Sequence, residues 1–144
     1  MDRHKIMDAM EAKATEIFDN TPQYQADGKR GMFIIQLKSP THPNRWDAMI
    51  QPFGAIVTPP EVKDGKVVWA GISFDGVAHG KAAYARRTGT NSGAEEGTVP
   101  MAESHWEGAV VSADGNCVCA FSGVSGEDDV LIAKAGIEAY NALS

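Results

Sequence analysis

The sequence predicts an α+β fold, in which an antiparallel β-sheet is flanked by helices. Two Asp-Gly pairs, Asp64-Gly65 and Asp114-Gly115, each lie between runs of apolar residues. Such a pair is a strong signal for a β-hairpin, and a hairpin joins antiparallel strands. A helical pattern follows each pair, which indicates one sheet that carries both hairpins and is covered by the helices. At 144 residues the chain is expected to form one domain over residues 1–144.

The first half of the chain begins with an amphipathic helix, predicted over residues 3–18. Residues 32–37 are rich in strand-forming side chains and predict a strand, and residues 53–58 predict another, which ends at Pro59-Pro60. Residues 38–46 contain two prolines and are too polar for a core, which predicts a loop. The stripe of the first helix that is expected to face the core consists of Ile6, Met10, Ala14 and Ile17.

The second half contains a predicted helix over residues 76–87 and a long glycine-rich loop over residues 88–105. The last hairpin is predicted from residues 108–112 and 117–121, joined by a two-residue turn. Its second strand is apolar on both faces, which is typical of an inner strand covered from both sides. Ser125 is expected to cap a final helix. The buried stripe of that helix is predicted as Val130, Ala133, Ile137 and Tyr140.

Cys117 and Cys119, the two cysteines, are expected to act as small packing residues within the inner strand. Residues two apart on a strand have Cα atoms about 6.5–7 Å apart, which is an awkward separation for a disulfide. Further metal ligands on the same face are not identifiable, so no metal site is predicted.

The C-terminal hairpin and helix carry a family resemblance. The residues concerned are Gly123-Val124-Ser125-Gly126, Asp128, Asp129 and Ala133-Lys134-Ala135-Gly136. This segment resembles the C-terminal part of the GlcG/HbpS-like family, also called the haem-degrading-domain family, which includes the PduO C-terminal domain. The resemblance is close over about the last quarter of the chain, where the residues build a turn and a helix face. It implies an α+β fold, a haem or related tetrapyrrole as ligand, and a homo-oligomer.

The segment over residues 73–82 is the first candidate site. Asp75 is expected to cap the helix, which puts His79 and Lys81 in its first two turns. A lysine beside the amides of a helix start forms a site for an anion such as a carboxylate or a haem propionate. The family resemblance assigns Lys81-Ala82 to the segment that lines the family's pocket. The alternative is a solvated helix start with His79 on the surface.

His105 is the second candidate, because it lies beside Trp106 at the entrance of the last hairpin. A histidine in such a position can ligate haem iron or act as a general base, and it can equally be a half-buried structural residue. Arg86 and Arg87 can hold a carboxylate, although their position at a helix end is also explained by the helix dipole.

Polar residues of two loops complete the candidate ligand-binding set. Thr88 and Asn91 follow the second long helix and suit either hydrogen bonds to a substrate or local turn chemistry. His42 and Arg45 lie on the proline-containing loop, from which they can reach a pocket as a lid.

The sequence alone leaves two functions open. One is a binding module for haem or a related tetrapyrrole, with His79 or His105 as the iron ligand and Lys81 paired with a propionate. The other is a cofactor-independent lyase or isomerase that acts on a small carboxylated catabolic intermediate, for example an aromatic one of the hydroxylaminobenzoate type. There Lys81 or an arginine holds the carboxylate, and His79 or His105 moves the proton.

Charge and hydropathy exclude two kinds of partner. The net charge is −6 and there is no basic run, so the electrostatic signature of nucleic-acid binding is missing. There is no apolar stretch of about 18 residues, which a membrane-spanning helix requires. The N-terminus lacks the apolar segment of a secretory signal, so a cytoplasmic protein is expected.

Self-association is the remaining expectation. The 88–105 loop contains Val99, Pro100 and Met101, and a long loop is costly to order unless it packs against something. A second subunit would provide that surface, which predicts at least a dimer with the pocket near the subunit contact.

Overall fold

The computed structural model describes residues 2–26, 30–69, 71, 73–93 and 103–143. Runs of consecutive strands lie between helices along the chain, as expected for an α+β fold. In chain order the elements are α1 (Arg3–Asn20), α2 (Pro22–Ala26), β1 (Met32–Lys38), β2 (Trp46–Pro52), β3 (Glu61–Lys63), β4 (Lys66–Trp69), α3 (Phe74–Thr88), β5 (Ala109–Val111), β6 (Cys117–Ser122) and α4 (Gly126–Leu143).

A four-stranded antiparallel sheet in the order β2-β1-β6-β5 forms the centre of the fold, which confirms the predicted class. Helices α1 and α4 pack on one face of the sheet, and α3 packs on the other. Every residue of β6 is buried, as is every residue of β1 except Lys38 at its end, because both strands are covered on both faces. The prediction of an inner strand over residues 117–121 is therefore confirmed.

The edge strand β2 was not predicted, and the strand predicted over residues 53–58 is wrong. Strand β2 pairs with β1 from Lys38↔Trp46 to Met32↔Pro52. Its side chains are mostly exposed, so it lacks the apolar pattern that would reveal a strand. Within residues 53–58, only Ala55 and Val57 take part in isolated bridges.

The buried stripe of α1 differs from the predicted one. Met10 and Ala14 are buried as expected, but Phe18 is buried in place of Ile17, which is 39% exposed. Phe18 joins an aromatic cluster, with its ring centroid 5.1 Å from that of Phe53. Both stripes fit a helical period, and the packing of the larger aromatic side chain decided between them. The fully buried stripe is Met7, Met10, Ala14 and Phe18.

The two Asp-Gly hairpins turn out to be different. Asp64 and Gly65 have φ values of 51° and 73°, which confirms a tight two-residue turn. At Asp114-Gly115 only the glycine has a positive φ, so the predicted two-residue turn is wrong. The carboxylate of Asp114 instead accepts hydrogen bonds from the Ser112 hydroxyl (2.6 Å) and the Asn116 N–H (2.9 Å), which hold a wider loop.

The β3–β4 hairpin forms a two-stranded sheet of its own, so the prediction of one sheet carrying both hairpins is also wrong. Its valines face solvent: Val62, Val67 and Val68 are each more than half exposed. The described part of the chain therefore leaves these valines uncovered on both faces of the hairpin.

The start and the packing face of α4 agree with the sequence. The Asp128 N–H donates to the Ser125 hydroxyl at 3.3 Å, which confirms the predicted cap. Cys117 and Cys119 are free and fully buried, which confirms their packing role. A Cβ added at Gly136 would lie 2.8 Å from Cys119 Sγ, so this glycine lets α4 lie close against the sheet. Of the predicted stripe, Val130 is only partly buried.

Within the described ranges there is no helix with the length and apolar character needed to cross a membrane. The residues on which the prediction of self-association depends, Val99, Pro100 and Met101, lie outside the described ranges.

Candidate functional site

Helix α3 directs Lys81 and His79 in different directions. The Ser73 hydroxyl accepts a hydrogen bond from the Gly76 N–H at 3.1 Å, so Ser73, not the predicted Asp75, caps the helix. Asp75 instead pairs with His79 one turn on, at 3.2 Å and with both side chains more than 40% exposed. Lys81 turns to the sheet and is only 2% exposed.

The ammonium of Lys81 joins three parts of the fold. It donates to the carbonyl oxygen of Phe121 at 3.0 Å and to Oδ2 of Asp129 at 2.9 Å. The other carboxylate oxygen of Asp129 accepts from the Val124 N–H at 3.1 Å. The ion pair therefore ties α3 to the end of β6 and to the first turn of α4. A Cβ at Gly108 would lie 2.6 Å from Lys81 Nζ, so the chain passes closely behind the ammonium.

Burial raises the pKa of the Asp129 carboxyl from 3.8 to about 6, although Lys81 and two backbone N–H groups favour the ionised form. A carboxyl that titrates near neutral pH exchanges protons readily under ordinary conditions. Strongly shifted carboxyls that line a cleft are also typical of functional sites. Among the residues that line this region, Asp129 is the carboxyl whose pKa is shifted toward neutral pH.

A cleft of about 320 Å³ opens beside the ion pair. This volume lies at the lower end of the range found for small-molecule sites. Trp106 is 58% exposed and offers an aromatic surface at the mouth, while Glu107 adds an exposed carboxylate. The lining residues are Phe74, Lys81, Trp106, Glu107, Ser122, Gly123, Val124, Gly126 and Asp129, and we call this the Lys81 cleft.

His105 does not line the Lys81 cleft, although its neighbour Trp106 does. Its ring packs against Tyr84, with centroids 4.7 Å apart, and neither ring nitrogen has a hydrogen-bond partner among the described residues. Nε2 lies 3.9 Å from Glu103, which is too long for a hydrogen bond. Glu103 accepts two hydrogen bonds from Arg87, at 2.6 and 2.9 Å, and these lower the pKa of its carboxyl. Arg87 and His105 thus both lie beside Glu103, and none of the three lines the Lys81 cleft.

Two further candidates on α3 make bonds within the protein. Arg86 donates to the side-chain oxygen of Gln36 at 2.9 Å, which ties the end of α3 to β1. The Thr88 hydroxyl donates to the carbonyl oxygen of Tyr84 at 2.9 Å, as expected for a helix end. Neither residue lines the Lys81 cleft.

Asn91 and Arg45 are also distant from that cleft in the fold. The side-chain oxygen of Asn91 accepts from the Val111 N–H at 2.9 Å and so covers the outer edge of β5. Arg45 belongs to the β1–β2 loop, where its N–H donates to the carbonyl oxygen of His42 at 3.0 Å. This loop lies at the opposite end of the sheet from Lys81, so it does not form a lid over that site.

The geometry of the Lys81 cleft differs from the haem site that the sequence predicts. The predicted arrangement needs an imidazole for iron and a cation for a propionate in one cleft. Neither His79 nor His105 lines the Lys81 cleft, and Lys81 already pairs with Asp129. In the described ranges, His, Cys, Asp and Glu side chains also form no group of three placed to hold a metal ion. The described residues do not fit haem in this way.

Asp129 is the residue of the site that sequence reasoning missed. By position alone it is one of three acids in the first turn of α4, where acids favour the helix dipole. Its burial could have been predicted from its position four residues before Ala133, which places Asp129 on the buried stripe of α4. An acid on a buried helix face requires a partner. The sequence did not show that this partner is Lys81, 48 positions away.

The raised pKa of Asp129 predicts a pH effect on stability. The folded protein binds the proton more tightly than the unfolded chain does, so the contribution of Asp129 to the free energy of unfolding is full below about pH 4 and is lost as pH rises through about 6. We expect the difference in unfolding free energy between wild type and Asp129→Asn to fall over this window. Urea unfolding at several pH values measures it, and other carboxyls cancel in the difference. A difference that rises with pH would contradict the assignment.

Comparison with known proteins gave no relative: no protein-family model matches the chain, and a search of curated proteins found no significant match.

Proposed function

We propose that the protein is a small-molecule-binding domain of GlcG/HbpS-like type and that its ligand occupies the Lys81 cleft. The observation that carries the proposal is the buried ion pair of Lys81 and Asp129 in the wall of this cleft. Burying two charges is costly, and an apolar pair often stabilises a core equally well. A charged pair that borders a cleft therefore supports a role in binding.

The lining supports a ligand that is small, flat and carboxylated. Trp106 and Phe74 offer aromatic surface, and such surfaces bind aromatic rings. Two protons of the Lys81 ammonium are used within the described residues, so a third remains for an acceptor on the ligand. When Asp129 is protonated, Lys81 is no longer neutralised. A carboxylate ligand is therefore expected to bind more tightly below about pH 6 than above it.

A thermal-shift screen of aromatic carboxylates tests this proposal. We expect a stabilising ligand whose effect is abolished in Trp106→Ala, because this exposed side chain supplies the stacking surface and its removal leaves the core intact. Leu131→Ala is the matched control, since Leu131 is similarly exposed on α4 and does not line the cleft. An equal shift in wild type and in Trp106→Ala would place the ligand elsewhere and refute the proposal.

The second candidate function is a lyase or isomerase acting on the same kind of substrate. The pKa of Asp129, about 6, favours it, because a general acid or base works best when its pKa is near the working pH. In this version Lys81 orients the carboxylate, and Asp129, not a histidine, moves the proton. Turnover that rises with the ionisation of Asp129 and is lost in Asp129→Asn would identify the enzyme.

We also propose that the protein is cytoplasmic and forms a homo-oligomer. The exposed valines of the β3–β4 hairpin support self-association, because a two-stranded hairpin with open apolar faces is marginally stable alone. Light scattering tests it. A mass near 15.4 kDa, that of one chain, would count against the oligomer.

A further inference from the structure

We infer that a second copy of this chain pairs with strand β2, so that two four-stranded sheets join into one across a two-fold axis. The inference rests on the proposed self-association and names its interface. Strand β2 forms one edge of the sheet, and among the described strands it pairs with β1 only. An open strand edge is a template for pairing with another chain.

The ends of β2 show in which direction its backbone groups point. The Phe53 N–H donates to the carbonyl oxygen of Gly31 at 2.8 Å. At the other end, the carbonyl oxygen of Arg45 accepts from the Ser39 N–H at 2.8 Å. Both bonds continue the register of β1 with β2, so the backbone groups of the odd-numbered residues face β1. Because these groups alternate in direction along an antiparallel strand, those of the even-numbered residues point away from the sheet.

The outward-pointing groups are therefore the N–H and C=O of Trp46, Ala48 and Ile50. None of them makes a hydrogen bond within the described residues. Strand β2 also lacks the features that usually protect an edge: it contains no lysine, its pairing with β1 has no bulge, and its one proline is its last residue.

The opposite edge of the sheet, at β5, is closed by side chains. The side-chain oxygen of Asn91 accepts from the Val111 N–H at 2.9 Å. The Ser92 hydroxyl accepts from the Ala109 N–H, also at 2.9 Å. One edge is thus covered within the chain, whereas the described residues leave the other open. This difference indicates that the open edge at β2 has a strand partner outside the chain.

The backbone of β2 is complementary to that of a second copy. In an antiparallel pair with Met49 on the two-fold axis, Ala48 lies opposite Ile50 of the second copy. Both residues point their backbone groups outward, so they can exchange two hydrogen bonds. The same register overlaps the whole strand, and two-fold symmetry repeats every contact.

The side chains match in the same register. Ile50 pairs with Ile34 of β1, which belongs to the apolar cluster under α3. Residues two apart on a strand share a face, so Trp46, Ala48 and Pro52 lie on this face too. Ile50 is 48% exposed in the single chain. Across the axis each of these four side chains meets an apolar one, since Trp46 lies opposite Pro52 and Ala48 opposite Ile50.

Charge also fits a second copy of the strand. The chain has a net charge of −6, but the only charged residue of β2 is Asp47, whose carboxylate accepts from Arg3 at 2.8 Å. In the register centred on Met49, Asp47 lies opposite Gln51 of the second copy, which is neutral. Like charges directly opposite each other would be destabilising, and this register avoids them.

Light scattering of the full chain tests the interface. We expect the wild type to have the mass of an even number of chains of 15.4 kDa. Ala48→Pro removes an outward N–H and spares the ladder to β1, so we expect association to weaken about tenfold or more. Ala48→Thr is the matched control, because threonine keeps the N–H and suits a strand, and it should associate as wild type does.

Cysteine cross-linking tests the register. In Met49→Cys the two new thiols lie across the axis, with Cα atoms about 4.5 Å apart, which is within the reach of a disulfide. Ile50→Cys is the control, since this register displaces position 50 from its own copy by two residues along the strand. We expect an interchain disulfide in the first variant and not in the second. Cys117 and Cys119 are fully buried and do not compete.

The outcomes separate this interface from self-association in general. A wild type with the mass of one chain would refute both. An oligomer that Ala48→Pro leaves unchanged, or that forms no disulfide in Met49→Cys, would overturn the β2 interface alone. Dissociation by Val67→Lys but not by Ala48→Pro would place the contact at the β3–β4 hairpin instead, where Val67 is 63% exposed. Urea unfolding shows whether Ala48→Pro is folded, and if it is not, the cross-linking decides.

Discussion

Replacing Lys81 by methionine is expected to destabilise the fold by about 3–5 kcal/mol, because it leaves the buried carboxylate of Asp129 without its cation. Methionine fills a similar volume, so the loss reports on charge and hydrogen bonding rather than on a cavity. The bond to the carbonyl oxygen of Phe121 disappears as well. Chemical denaturation at neutral pH measures the effect through the free energy of unfolding.

Adding a second substitution, Asp129→Asn, shows whether the loss of stability in Lys81→Met comes from the broken Lys81–Asp129 ion pair. In Lys81→Met/Asp129→Asn the unpaired charge is gone, while the amide oxygen can still accept from the Val124 N–H. We therefore expect the double variant to recover much of the stability lost by Lys81→Met. Lys63→Met, on an exposed strand, should change stability by no more than about 0.5 kcal/mol. A Lys81→Met variant as stable as the Lys63→Met control would refute the buried pair.

Replacing Gly123 by alanine is also expected to lower the free energy of unfolding strongly. Gly123 has φ of +155°, and a Cβ there would lie 2.4 Å from the Cα of Gly31 and 2.6 Å from the carbonyl oxygen of Arg30. Both neighbours are backbone atoms, which cannot rotate away. The end of β6 would have to separate from the start of β1, and we expect a loss of about 2–5 kcal/mol from strain and overpacking together.

Gly65→Ala is the matched control for that experiment. Gly65 also has a positive φ, +73°, but an added Cβ would meet nothing within 4 Å. We expect a cost of about 1–2 kcal/mol, from the backbone conformation alone. Thermal or urea unfolding of both variants separates backbone strain from steric overlap. Equal losses would mean that β1 and β6 do not approach closely at Gly31 and Gly123.

The segment over residues 123–136, which resembles the family, shows which structural features a local sequence pattern can predict. Gly123 and Gly136 both lie where the chain needs close packing, and Ser125 caps the helix between them. Gly123 packs on Gly31 and Gly136 packs on Cys119, and both contacts join residues far apart in the chain, so the sequence does not show them. The cap at Ser125 depends on a neighbour only three residues away. Patterns of that length were readable from the sequence and explain why the fold class was predicted correctly.

The sequence by itself determined the inner strand β6, the tight turn at Asp64-Gly65 and the cap at Ser125, because propensity, turn conformation and capping act over three or four residues. Tertiary structure alone decided which distant side chains meet. Lys81 and Asp129 are partners since α3 and α4 lie on opposite faces of the sheet and converge at the end of β6. The histidines lie elsewhere because the rotation of α3 that buries Lys81 turns His79 to solvent, and the packing of Tyr84 holds His105 in another cluster.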